Sequence, residues 1–128
     1  MNQAQSLLIE GLTSTKHVAN AALIKIADRS VMATTPGFNI QSQAPVFVQA
    51  FQKNLLQIRR DGLYFKDRYY KGIRVDEHSI YLKGKDNGLV LAKTKSFILL
   101  GTYSHGMYPS VCVEAVEKLA DYFREKGN

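Results

Sequence analysis

The stretch from Gly84 to Lys126 constrains the fold more than any other part of the chain. Leu89-Val90-Leu91-Ala92 and Phe97-Ile98-Leu99-Leu100 are short apolar runs of strand-forming residues, joined by Lys93-Thr94-Lys95-Ser96, a polar connection of hairpin length. After Gly106 the apolar spacing lengthens from the period of a strand to that of a helix. Cys112, Val116, Leu119 and Phe123 then share one face, and Glu114, Lys118, Asp121 and Glu125 the other. Pro109 suits the first turn of such a helix, where a missing N–H costs nothing, and Lys126-Gly127 supplies the cation and glycine favoured at its end. Neither hairpin nor helix can bury its apolar side alone, so the helix must lie on the sheet.

The rest of the chain reads in the same terms. Ala4, Leu8 and Leu12 predict a short helix over 3–12; residues 21–26 and 30–34 predict a strand hairpin around Ala27-Asp28-Arg29. A second helix is predicted from Pro45 to about Lys53. From Arg59 the pattern turns to short strands at 62–65, 69–75 and 79–82. The order implies an α+β fold, a central antiparallel meander sheet with the N- and C-terminal helices packed on one face. The 128 residues are expected to form one domain, 1–128, large enough for a core without disulfides or metals.

Seventeen Lys and Arg stand against eleven Asp and Glu, and the excess is concentrated between Lys53 and Lys95. Such a basic region attracts phosphate-bearing surfaces, whether anionic lipid, nucleic acid or an acidic protein, and does not choose among them. No apolar run approaches the length of a bilayer span, and the first residues lack the basic head and apolar block of a secretory signal, so an intracellular soluble protein is expected. The one cysteine, Cys112, falls on the buried helix stripe, where it should act as a small inert hydrophobe.

Catalytic chemistry is not evident. His17, His78 and His105 are scattered without metal-ligand spacing, and Asp76-Glu77, read as neighbours on a strand, would point to opposite faces. Neither an enzyme nor a cofactor is expected. The aromatic and basic run from Arg59 to Lys71 reads as sheet alternation, with Leu63 and Phe65 inward, Tyr64 half exposed and one of Tyr69 and Tyr70 packing inside. The alternative is a single-stranded nucleic-acid-binding domain that stacks bases on Tyr64, Tyr69 and Tyr70.

Five pieces in order resemble the profilin family: Ala21-Ala22-Leu23-Ile24 with Ser30-Val31-Met32-Ala33; Gly62-Leu63-Tyr64-Phe65; Lys83-Gly84-Lys85; Gly88 to Thr94 with Phe97 to Tyr103; and the helix holding Pro109, Cys112, Leu119 and Asp121-Tyr122. Lys16-His17-Val18, Ala21 to Ile26, Pro36-Gly37-Phe38 and Gly106 to Ala115 resemble the divergent fourth branch of animal profilins. The resemblance implies a cytoplasmic, cytoskeleton-associated, monomeric adaptor with three ligand surfaces. The proline-stretch platform is degenerate: the family's aromatic positions fall at Gln3, Ser6, Met32 and Asn128, leaving Tyr122 and Phe123, so proline-rich ligands are not expected to bind. The actin-facing positions hold Met107, Tyr108, Val113, Glu114 and Lys118, and Glu114 reverses a charge there, so actin binding is expected to be weak or lost. The acidic phospholipid surface persists as Lys71, Arg74, Lys83, Lys85, Lys93 and Lys95. The resemblance thus implies a phosphoinositide-binding adaptor in peripheral contact with membranes and without nucleic acid as a partner. An actin-monomer-binding regulator of filament assembly is the alternative within the family.

Overall fold

Short apolar runs separated by polar turns lie side by side in one seven-stranded antiparallel sheet in the computed structural model, which describes residues 2–128. β1 (Asn20–Lys25) and β2 (Ser30–Thr34) form a hairpin. β3 (Leu63–Phe65), β4 (Arg68–Val75), β5 (Ser79–Lys83), β6 (Gly88–Lys93) and β7 (Phe97–Tyr103) form a meander. β7 then pairs with β1, Leu100 opposite Ala22, so the strand order is β2-β1-β7-β6-β5-β4-β3.

Helices cover both faces. α1 (Gln3–Gly11) and α4 (Pro109–Glu125) pack Leu8, Cys112, Val116 and Phe123 against Ala21, Leu23, Val90, Ala92 and Leu99. α2 (Ala44–Gln52) and α3 (Leu55–Asp61) pack Phe47, Val48, Phe51 and Ile58 against the alternate residues Ile24, Ile80, Leu82, Leu89 and Leu91. The central strands are therefore buried on both sides, which is why Leu89 to Ala92 is a continuous apolar run. Gly101 lets α4 approach β7 closely, since a Cβ there would lie 2.6 Å from the Val116 side chain.

The expected strands and the first, second and last helices are all present. α3 is not among the expected elements: Arg59, Arg60 and Asp61 close a seven-residue helix rather than open a strand region. Only Ile58 of that helix is buried, so its apolar period is too short to see. Asp76 and Glu77 also depart from expectation. They occupy the β4–β5 turn, where Asp76 Oδ1 accepts from the N–H groups of His78 (2.9 Å) and Ser79 (2.8 Å). Tyr70 is the tyrosine that packs inside, at 4 % exposure, while Tyr64 is more open than half exposed, at 72 %.

α4 lies across β6 and β7. Beyond them the same side of β3, β4 and β5 is open, with Tyr64, Tyr69, Lys71, Arg74 and Lys83 all exposed.

Candidate functional site

The β4–β5 register places Lys71 directly opposite Lys83 and Arg74 opposite Tyr81, with a bulge at Ile73 between them. Facing residues on one side of a sheet stand about 5 Å apart at Cβ, so two ammonium groups share one patch of the open face. Lys85 follows in the β5–β6 turn and lines a cleft of about 340 Å³ with Arg68 and Tyr69. Arg68 was not singled out from the sequence, because only the strand register brings it near Lys85. Arg74 is less free: its Nε lies 2.8 Å from Asp76 Oδ2, and its guanidinium sits 5.3 Å from the Tyr81 ring centre. The Arg74 hydrogen bond, helped by the two turn N–H groups, holds the Asp76 carboxyl down at about 2. Lys93 and Lys95 do not join this group. Gly88 is opposite Lys83, and Lys93 lies five residues further along β6, roughly 17 Å away at strand rise.

Beside this face α4 is tied to β5. Glu117 Oε2 accepts from Ser79 Oγ at 2.7 Å and from the Tyr81 phenol. Burial, and then the Glu117 hydrogen bond and charge, push the Tyr81 phenol up to about 12. Glu114 and Lys118 stand exposed one helical turn apart on α4. Val113 packs half-buried on the core and offers no exposed patch. Tyr108 is exposed, yet its ring stacks on His17 at 4.8 Å and its N–H donates to His17 Nδ1 at 2.9 Å. His17 thus braces the start of α4, a role that nothing local in the sequence signals. Met107 sits at the same corner, its sulfur 3.7 Å from the Ser104 hydroxyl.

A groove of about 360 Å³ separates α1 from the end of α4. Gln3, Met32, Tyr122, Phe123 and Asn128 line it together, while Ser6 is not among its lining residues. Phe97, missed in the sequence, completes the apolar wall, with its ring 5.4 Å from that of Phe123. Its signal was alternation: as neighbour of the inward-facing Ile98, it must face α4. Lys126 Nζ caps Tyr122 at 5.4 Å from the ring centre. Among the described residues no three His, Cys, Asp or Glu converge as a metal site, and no helix is long and apolar enough to cross a membrane.

Comparison with known proteins gives the surfaces a context. Residues 2–128 match the family described as Profilin. Profilin-4 of Bos taurus is 50% identical over the whole of both chains, in keeping with the resemblance to the fourth animal branch. Profilin II of Acanthamoeba castellanii superposes with a TM-score of 0.87 at 32% identity, covering 97% of this chain and 98% of that one. Mouse profilin IIa, solved in complex with a double repeat from the FH1 domain of mDia1, gives a TM-score of 0.80 at 20% identity over 99% and 100% of the two chains, a likeness of fold alone. With a family match along nearly its whole length and a full-length relative at half identity, the chain belongs to the profilin family of cytoskeletal regulators.

Proposed function

We propose that this profilin works where the cytoskeleton meets a membrane, holding acidic phospholipid headgroups on the open face of β4 and β5 through Lys71, Lys83 and Lys85. The observation that supports this reading is the Lys71–Lys83 opposition. Like charges directly across a strand pair destabilise a sheet, and a phosphate between them would remove that cost. Both side chains are exposed, so an anionic surface can reach them without rearrangement. Each cation near such a surface contributes on the order of 1 kcal/mol, giving reversible binding that weakens with salt. Arg74, paired with Asp76, contributes less; Lys93 and Lys95, at the far end of β6, steer the approach rather than share the contact. Binding of proline-rich ligands is weak or absent in this reading, because Met32 and Gln3 add no aromatic ring to the α1–α4 groove. The protein is then cytoplasmic, touching membranes only peripherally.

Cosedimentation with vesicles containing phosphatidylinositol bisphosphate, across a salt series, tests this. Binding should fall as salt rises and should fall again in K71A/K83A; a double variant that binds like the parent removes the proposal.

One observation favours a second reading, actin-monomer binding. The open face is not purely basic: Tyr64 and Tyr69 are exposed at 72 % and 48 %. A lipid headgroup has no use for that apolar area, whereas a protein partner does. Fluorescence titration with monomeric actin decides: low-micromolar or tighter binding supports this reading, and no binding leaves the lipid reading alone. Stacking of nucleic acid bases on three tyrosines is disfavoured, since Tyr70 is buried with its hydroxyl accepting from Asn87 Nδ2.

A further inference from the structure

The edge of the sheet at β2 is open. β1 is its strand partner, and among the described residues its backbone makes only two other hydrogen bonds: the Ser30 N–H donates to Asp28 Oδ1, and the Thr34 carbonyl accepts from Gln5 Nε2 at 2.9 Å. The second contact is informative, because a side-chain amide already supplies to this edge the kind of N–H that an added strand would bring. Exposed edges are usually blunted by charge, proline or shortness. β3, at the other edge, is three residues long and followed by Lys66. β2 is Ser-Val-Met-Ala-Thr, without a charge or a proline, and its one irregularity is the bulge that leaves Met32 without a residue opposite.

A groove of about 460 Å³ runs along this edge, walled by residues 31–34 on one side and by the loop 37–41 on the other. Four consecutive strand residues line it. Successive side chains point to opposite faces, so what they share along one line is backbone. Cations flank the groove without lining it: Arg29 directly precedes β2, Lys25 lies across β2 opposite Ser30, and Lys66 Nζ is held 2.8 Å from the Asn39 carbonyl in the facing loop. Asp28, in the β1–β2 turn, accepts from the Ser30 hydroxyl at 2.6 Å and keeps its negative charge, which offsets that of Lys25.

We propose that this groove takes an extended acidic peptide segment of a partner protein as an eighth strand beside β2. Main-chain hydrogen bonds supply the attraction, and the excess of cations over Asp28 selects the charge. Lys71, Lys83 and Lys85 are not among the residues that line this groove, so it stands independently of the lipid reading.

The test is a backbone NMR titration of the full chain with a capped nine-residue peptide of alternating Glu and Val, alongside two controls. One control is N-methylated at alternate peptide bonds; the other carries Lys for Glu. The acidic peptide should give saturable shifts confined to residues 30–34 and 37–41 and slow amide exchange in β2 by about tenfold or more. The N-methylated peptide should not bind, and the lysine peptide should bind about tenfold more weakly or less. Equal binding of the N-methylated peptide, no shift in β2, or shifts at Lys71 and Lys83 instead would overturn the proposal. Shifts in β2 that grow with protein concentration alone would also overturn it, assigning the edge to a second copy of the chain.

Discussion

The Tyr81 phenol donates a hydrogen bond to Glu117, and through that contact α4 is fastened to β5 beside the basic face. Glu117 also receives the hydroxyl of Ser79, a residue only 2 % exposed. Replacing Glu117 by Leu leaves that buried hydroxyl unpartnered and removes the charged acceptor of Tyr81. The expected loss is about 2 kcal/mol in urea unfolding, against about 1 kcal/mol for Y81F, which keeps the Ser79 bond. Equal losses would mean that Ser79 finds another partner.

The same contact sets a behaviour at high pH. The Tyr81 phenol is raised from its ordinary 10 to about 12. A group whose folded value is raised contributes stability that is complete below the unfolded value and lost as pH climbs through the folded one. Stability should therefore fall between pH 10 and about 12. In ultraviolet titration Tyr81 should ionise late among the seven tyrosines, and Y81F should remove the late step.

Lys71 and Lys83 lead to an opposite pairing of effects. Substituting Lys83 by Ala removes a like-charge opposition and should stabilise the fold by roughly 0.2–1 kcal/mol at low salt. The same change should weaken vesicle binding by roughly fivefold, the equivalent of 1 kcal/mol. A variant that loses stability instead would show that the two ammonium groups do not face each other in solution.

At the α1–α4 groove a single ring should be felt. Met32 is 44 % exposed and lines the groove with Phe97, Tyr122 and Phe123. M32W should raise affinity for a polyproline peptide by up to about tenfold, since an aromatic neighbour adds ~0.5–1.5 kcal/mol beyond its area. Unchanged affinity in a folded variant would mean that the groove is closed to such ligands by shape rather than by missing rings.

Cys112 is fully buried, and burial pushes its thiol up to about 12. In the native protein at neutral pH it should resist thiol reagents and react fully once urea unfolds the chain. Fast native labelling would reveal opening of α4 from the sheet.

Much of the architecture was legible because burial leaves a period. Leu89 to Ala92 are buried on both faces and spell a strand; Cys112, Val116, Leu119 and Phe123 spell a helix. α3 was illegible because Ile58 is its only buried residue. The ligand surfaces were legible only as residue types. Lys71 and Lys83 are twelve positions apart in sequence and become neighbours through β4–β5 register, whereas Lys93 and Lys95, which look equivalent in sequence, go to the other end of the strand. Gln3, Met32, Tyr122, Phe123 and Asn128 meet in one groove because the fold is shared, and Phe97 joins them by strand alternation; Arg68 and His17 owe their positions to contacts across the chain that no local pattern encodes.

The pairing of β1 with β7 has a consequence in time. Residues 20–25 find their inner partner only in residues 97–103, so the first hairpin cannot enter the sheet until most of the chain has been made. Closing so long a loop precedes its reward in contacts, which slows folding. On the ribosome, Ala21-Ala22-Leu23-Ile24, all buried in the finished molecule, waits with one flank unpaired. That interval is the chain's most exposed moment, when an apolar strand most needs a chaperone and is most open to pairing with the wrong neighbour.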